Sequence, residues 1–497
     1  MEKTSVSQTL SIDFNKNITF LKSLFQGCED IIFESYQFGA DYEQEAVVVY
    51  CTSIIQNEKQ NLLKMALQDL VSERLSPGIP LTSHDVQHFF LRRGVTERPV
   101  KTPHTLKDVS EQIMTGHIII LFDGWNQALS YNSYSVEKRS VAEPQNEMVV
   151  TGPREGTIEN LTKNIGLIRA RLKSSDLKIH YKNAGKRTRT RWAYGYLAGT
   201  CDKDMLKEFE KRIEKIASEE ILETSYIAEL IEDSTLTPFP QFRITERPDV
   251  AAAALLQGKI IVMVEGTGTI VICPGMFHEF FQSASDYYQR STFSSLIRQL
   301  RIAGFILSLT LPSIYIALTT FHAELIPTVL LIAILDTREG IPFPAVIEAL
   351  IMIFFFELLQ EAGIRLPKPI GSTVSIVGAL IIGEASINAG IASPIMVVVI
   401  GLTGIASFSI PQYDFGFAAR IIRLPFMILA ATLGGFGLLI GFILLFLHLS
   451  KLKVMNQSYL GALNLNNTVI LRDGLMRLTL KKLLKGPGKK NMFKTRS

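Results

Sequence analysis

Five ionisable residues stand where the surrounding sequence is almost wholly apolar: Glu348, Glu357, Glu361, Arg365 and Glu384. A charge placed in hydrocarbon is costly, so each must find a partner, a protein surface or water. Three kinds of chemistry are open to such carboxylates: cation contact along a pore, an interhelical hydrogen bond, or a polar position at an interface. Glu348 and Glu357 are nine residues apart. At about 100° per residue they face opposite sides of one helix and cannot line the same pore. Glu357, Glu361 and Arg365 follow i, i+4, i+8 spacing, which predicts a stack near a helix end, with Gly363 weakening the geometry. Glu384 lies mid-run beside Gly383, and with Glu348 it is the better pore candidate.

Other constellations supply less. His84 and His88 could share a helix face, but a metal site needs a third ligand, and no His-Glu-x-x-His pattern is present. The four cysteines, Cys28, Cys51, Cys201 and Cys273, contain no Cys-x-x-Cys pair, so they read as reduced, mostly buried thiols. Gly266-Thr267-Gly268 precedes an apolar strand, which makes it a hairpin turn and not a phosphate loop. No nucleophile elbow, Walker or dinucleotide fingerprint occurs. The chain reads as a non-enzyme with no cofactor and no metal. A net charge of +4 is too small to argue for nucleic acid. The basic residues are clustered, however: Lys186, Arg187, Arg189 and Arg191 form either a solvated, salt-bridged strand and loop or a site for phosphate or an acidic partner.

The elements that must hold these residues divide sharply. Up to Arg301 the 497-residue chain is charged throughout; from Ile302 to Leu449 long apolar runs replace the charges. The reading is an α/β soluble N-terminal region of two similar subdomains plus an α-helical polytopic membrane domain. Boundaries are expected at 1–150, 151–288, 289–452 (the helical bundle) and 453–497 (a basic tail). Ala46 to Tyr50 is a β-branched run and Glu58 to Leu75 has helical spacing, followed by a Ser76-Pro77-Gly78 turn. Thr96-Glu97-Arg98-Pro99 and Thr245-Glu246-Arg247-Pro248 each lead through a helix into glycine, a buried strand and an acid-glycine turn. That order suggests duplication of one α/β unit. Between them Val149-Val150 reads as a strand ended by Gly152-Pro153, with Thr157 a weak cap for the helix that follows.

In the apolar part, Ile302–Phe321 is long enough to cross a bilayer, which takes about 20 residues. Leu325–Leu335 is half that length and either re-enters or spans by borrowing its flanks. Pro342–Leu359, Val374–Gly390, Ala392–Ile410 and Leu424–Leu449 complete five or six spans, with Pro394 at a tight joint. Met276 to Leu296 reads as an interfacial lead-in. Basic residues before the first span (Arg290, Arg298, Arg301) and in the tail (Lys481, Lys482, Lys485, Lys489, Lys490) put both ends in the cytoplasm, which needs an even number of spans. The first residues carry Glu2, Lys3, Asp13 and Lys16 and predict no secretory signal.

Several motifs then fall together: Gly152-Pro153-Arg154-Glu155-Gly156, Pro238-Phe239-Pro240-Gln241, and Glu246-Arg247-Pro248 within Thr245–Asp249. To these are added Asp286-Tyr287-Tyr288, Arg338-Glu339-Gly340-Ile341-Pro342-Phe343-Pro344, Glu357 to Pro367, and Ile410-Pro411-Gln412-Tyr413. Over nearly its whole length the chain resembles the A subunit of the GerA-type spore germinant receptors. It departs from them at Thr157, where the family usually carries an aromatic residue. The resemblance implies a multi-pass protein of the spore inner membrane, with its N-terminal region in the cytoplasm. It also implies partners: a transporter-like B subunit, which binds the nutrient, and a lipoprotein C subunit. The A subunit itself is implied to be a ring-shaped homo-oligomer forming a nutrient-gated cation channel. An accessory membrane protein of dipicolinic-acid release and a non-conducting membrane scaffold are the alternatives.

Overall fold

Alternating apolar residues and capped amphipathic helices build the N-terminal half around two antiparallel sheets in the computed structural model of the chain. The structure describes residues 9–38, 44–55, 61, 101–135, 143, 144, 147, 149, 151–366, 368–461, 473, 474 and 476–479. The expected helix Glu58–Leu75, the turn at Pro77, His84 and His88, Thr96 to Pro99 and the lysines of the tail lie outside these residues. Two compact units result: Met1–Glu232 with Phe242–Pro274, and Asp233–Gln241 with Gly275–Ser497.

In the first unit, helix α1 (Phe14–Leu24) is capped by Asp13, whose carboxylate accepts from the Lys16 N–H. Its buried Phe14, Ile18 and Leu21 recur at helical spacing and face the sheet β1 (Ile31–Phe38), β2 (Gln44–Cys51), β3 (His117–Phe122) and β4 (Ala128–Asn132). These strands pair in chain order, with α2 (Leu106–Met114) before β3. The second sheet runs β5-β6-β8-β9-β7, from β5 (Leu177–Ala184), β6 (Thr190–Leu197), β7 (Arg243–Thr245), β8 (Ile260–Val264) and β9 (Ile270–Cys273). Helices α3 (Leu161–Arg171), α4 (Lys203–Ile213), α5 (Thr224–Ile231) and α6 (Pro248–Leu256) accompany it.

The duplicated unit is visible in both sheets: α2, Gly116, β3, Gly124, β4 and α6, Gly258, β8, Gly266, β9. Gly116 and Gly258 both have positive φ, +83° and +87°. An added Cβ would lie 2.8 Å from the Tyr134 ring or 2.7 Å from the Thr200 carbonyl oxygen, so no larger residue turns these corners freely. Each turn delivers a fully buried central strand, where every enclosed Ile or Val contributes about 1.5–3 kcal/mol. Two local expectations change. Val149 lies outside any strand, and α3 is capped by Asn160, not by Thr157, because the Asn160 side chain is the one that reaches the Lys163 N–H.

The sheets are joined by one buried ion pair. Asp30, just before β1, accepts from Nε and Nη2 of Arg169 on α3, both at 2.8 Å, and both side chains are fully enclosed. Cys51 and Ser53 add donors to the same carboxylate, and the Arg169 Nη1 reaches the Ser174 carbonyl. Beside the pair, the Glu29 and Ile179 N–H groups bond across to Ile179 and Gly27 carbonyls, tying the chain ahead of β1 to β5. The Arg169 charge and hydrogen bonds hold the Asp30 carboxyl below its ordinary value against the opposing effect of burial.

The second unit is helical: α7 (Ser291–Thr320), α8 (Thr328–Arg338), α9 (Ala345–Arg365), α10 (Lys368–Asn388), α11 (Pro394–Phe408) and α12 (Tyr413–Lys451). Each expected apolar segment carries one, and Pro394 opens α11 behind the Ser393 cap. By length and composition α7 and α12 are apolar enough to cross a membrane. The expected single span Leu424–Leu449 is corrected. Gly434 has φ +62° and ψ −137°, and α12 is two helices on either side of it. Phe239 lies 5.9 Å from Phe415 and 6.2 Å from His448, near opposite ends of α12. A straight helix would separate those ends by about 50 Å at 1.5 Å per residue. The halves therefore run antiparallel, with Phe426 against Phe442 at 5.2 Å.

Gly275 to Tyr288 group with the helical unit, where Phe277, Phe280 and Phe281 pack with Phe305, Phe415, Tyr459 and Phe239. This aromatic cluster gathers the approach to α7 and the exit from α12 at one end of the bundle.

Asp30→Asn would leave the Arg169 guanidinium buried without its counter-charge. A loss of about 3–5 kcal/mol is expected in denaturant unfolding of the first unit. Since the Asp30 pKa is lowered on folding, its contribution is present above the ordinary carboxylate range, about pH 4, and disappears as pH falls through the folded value. Acid titration of stability should therefore be shallower in Asp30→Asn than in the parent.

Candidate functional site

Charged residues of the helical unit meet in three clusters. At the approach to α7, Asp286 accepts from Arg298 Nη2 at 3.2 Å and from Arg301 Nη1 at 2.9 Å, with Arg298 fully buried. Two of the three cations read as positive-inside signals are thus engaged by one carboxylate. The Asp286-Tyr287-Tyr288 motif has a concrete role here. Tyr287 donates to Asp473 at 3.0 Å, and Arg477 donates to the carbonyls of Gln289 and Tyr287.

The second cluster centres on Glu348, in the first turn of α9 and fully enclosed. Arg338, at the end of α8, brings Nη2 to 3.1 Å from its Oε1, and the Ser393 N–H donates to Oε2 at 3.1 Å. Ser393 in turn caps α11 through the Met396 N–H. One carboxylate therefore closes the corner where α8, α9 and α11 meet, and explains why the Arg338–Pro344 motif precedes Glu348.

Glu357 forms the third. Arg420 Nη1 lies 3.4 Å from Oε2 and Arg423 Nη1 3.9 Å from Oε1, both from the first half of α12. Arg423 is buried and its Nε donates to the Ser308 carbonyl of α7 at 2.7 Å. The expected stack of three is corrected: Glu361 pairs with Arg365 on the exposed face, while Glu357 turns to α12. Glu348 and Glu357 do reach different neighbours, as their half-turn offset requires. Glu384 differs from all of these. It is exposed on α10, beside the equally exposed Leu380 and Ile381, with no ion pair among the described residues.

Sequence reasoning missed His322. Its Nε2 accepts the Gly435 N–H at 3.1 Å, in the turn between the halves of α12, and Nδ1 lies 3.7 Å from Glu324. A Cβ on Gly434 would sit 2.8 Å from the Phe321 Cβ. The Gly434-Gly435 pair was the available signal.

In the first unit, the two glycine- and proline-marked motifs fold against each other. Gly152, with φ +129°, turns the chain. Arg247, buried, donates Nη2 to the Pro153 carbonyl at 2.8 Å and to Asp249 at 2.9 Å. The Thr157 N–H donates to the Glu246 carbonyl at 2.7 Å, and its hydroxyl to the Glu246 and Gly268 carbonyls. Pro248 occupies the first turn of α6, Glu155 pairs with Arg171 at 2.6 Å, and Arg154 reaches Glu143 at 3.4 Å on the surface. These residues brace a junction; their polar groups are used by one another.

An α/β unit carrying a duplicated motif, followed by a helical unit with charges paired between helices, is the class of molecule these features define. The chain belongs to the Bacillus/Clostridium GerA spore germination protein family, whose model matches residues 19–488. It is 39% identical to spore germination protein KA of Bacillus subtilis (strain 168) over 471 residues, 94% of this chain and 85% of that protein. It is 35% identical to spore germination protein B1 of the same organism over 466 residues, covering 94% and 95%. Spore germination protein GerLA of Bacillus cereus is 36% identical, with 86% of each chain covered. Among solved structures, the N-terminal domain of the A subunit of the Bacillus megaterium spore germinant receptor GerK3 matches at 25% identity. The TM-score is 0.39, with 55% of this chain and 98% of that one covered.

Gly434→Ala should destabilise the α12 turn by about 1–3 kcal/mol, because the left-handed backbone and the Phe321 contact both oppose a side chain. The check is a lower melting temperature of the detergent-solubilised chain, with Gly401→Ala, a helical position where a Cβ meets nothing within 4 Å, as the comparison that should not lower it.

Proposed function

We propose that this chain is the membrane subunit of a spore nutrient-germinant receptor, and that copies of it assemble into a ring whose helices form a nutrient-gated cation channel. Its relatives' role in spore germination supports the receptor reading. Glu384 carries the channel reading. Glu348 and Glu357 are neutralised by arginines of their own chain and Glu361 by Arg365, whereas Glu384 stands exposed in an apolar helix with no ion pair among the described residues. A carboxylate there needs water or another subunit, since hydrocarbon solvates it poorly. A water-filled pore between copies supplies both.

In this reading the chain is multi-pass in the spore inner membrane, with its N-terminal region on the cytoplasmic side. Helices α7, α9, α10, α11 and the two halves of α12 give six crossings, and the 11-residue α8 stays at one face. An even count fits the aromatic cluster that gathers both ends of the bundle. Nutrient binding falls to a transporter-like B subunit, with a lipoprotein C subunit completing the complex. The soluble subdomains help to hold the ring.

The purified chain in liposomes should conduct monovalent cations, alone or with its partner subunits. Glu384→Gln should change conductance or selectivity without changing oligomer size. Glu348→Gln should instead lower thermal stability, because it weakens a buried corner. An assembled oligomer that stays non-conducting with its partner subunits present would leave a scaffold.

A further inference from the structure

Helix α5 turns Thr224, Ile227, Ala228 and Ile231 inward and leaves a second apolar row outside. Leu222, Tyr226 and Leu230 recur every fourth residue and are 62%, 44% and 50% exposed. A helix that is apolar on two faces has one face more than its own unit uses. The outer row is flanked by Glu219, Glu229 and Glu232, which make no ion pair among the described residues. Burial and the nearby Glu229 push the Glu232 carboxyl up to about 7, as expected of an acid that lacks a cation.

The opposite charge stands on the hairpin between β5 and β6. Lys186, Arg187 and Arg189 project from the turn, and their side chains have no ion pair among the described residues. The turn is held rigidly. The Glu220 carboxylate accepts from the Arg187 and Thr188 N–H groups at 3.1 and 3.0 Å, and the Thr190 hydroxyl donates to the Ile221 carbonyl at 2.6 Å. Arg189 is kept at φ +46°. A left-handed arginine in a braced turn sets the backbone from which the cationic side chains project.

We infer that the outer face of α5 docks a second copy of this chain, with the basic β5–β6 tip of one copy on the acidic, apolar α5 face of the next. The occupant follows from charge complementarity: the cations that match these acids, each without an ion pair among the described residues, are carried by the same molecule on a neighbouring braced turn. The apolar row supplies the buried centre, and the charges supply register and orientation. This rests on the oligomeric reading above and locates one contact of that oligomer.

The test is the mass of the full chain in detergent, by light scattering across a salt series. Arg187→Glu with Arg189→Glu should weaken assembly about tenfold, as should Glu229→Lys with Glu232→Lys. All four changes together should restore it, which also shows that the reversed chains fold. Leu222→Ser with Tyr226→Ser and Leu230→Ser should weaken assembly at every salt concentration. An oligomer indifferent to all of these overturns the docking site and leaves the ring. So does loss on each reversal without restoration in the combination, since the two surfaces would then not be partners. A parent chain that is monomeric throughout overturns the ring and the docking site together.

Discussion

A charge removed from water must be met by another charge or by hydrogen bonds, and this fold is assembled around that requirement. The clearest case is Asp30 with Arg169. A fully buried, bidentate pair links the start of the first sheet to the helix serving the second, 139 residues apart in the chain. Removing either partner leaves the other stranded, so the pair makes the two sheets one unit. Its net stabilisation is smaller than its attraction, because desolvating both ions offsets much of that attraction. Cys51 and Ser53 complete the carboxylate's shell, which gives two otherwise unremarkable residues a reason to be polar and buried.

The helical unit repeats the solution with different partners. Asp286 takes Arg298 and Arg301, Glu348 takes Arg338 and a backbone N–H, and Glu357 takes Arg420 and Arg423. Each pair ties elements that the apolar surfaces alone would leave free to slide, since leucine-rich faces fit one another in many registers. Small residues act in the same direction. At Gly434 the chain reverses in almost no space, and the His322 ring takes the N–H that the turn leaves over. Against this background Glu384 is distinct: it stands exposed on α10 and meets no cation among the described residues.

Much of this arrangement was legible in the sequence. Periodicity and turn residues marked the β2 strand, the hairpin at Gly266, the repeated helix-glycine-strand order and every apolar helix. They did so because 3.6- and 2-residue periods follow from local backbone geometry. The charged residues were legible as exceptions. Their partners were not: Glu348 with Arg338, Glu357 with Arg420 and Arg247 with Pro153 depend on how helices and loops cross, and no short-range pattern carries that. The expected stack of Glu357, Glu361 and Arg365 failed for this reason, since α12 offered Glu357 two arginines across the bundle.

The family itself was legible in sequence alone, through Gly-Pro, Arg-Pro and Pro-Phe-Pro motifs, the first built on a left-handed Gly152 and the second opening a helix at Pro248. The division into a charged α/β half and an apolar helical half was equally local, being a matter of composition. Tertiary structure decided the rest. It split the last apolar segment into an antiparallel pair, and drew Phe239 into an aromatic cluster with Phe277, Phe415 and Tyr459. Hydrophobic runs state that a segment will be buried, but burial is non-directional. Which surface does the burying is settled only when the side chains of distant segments compete for the same space.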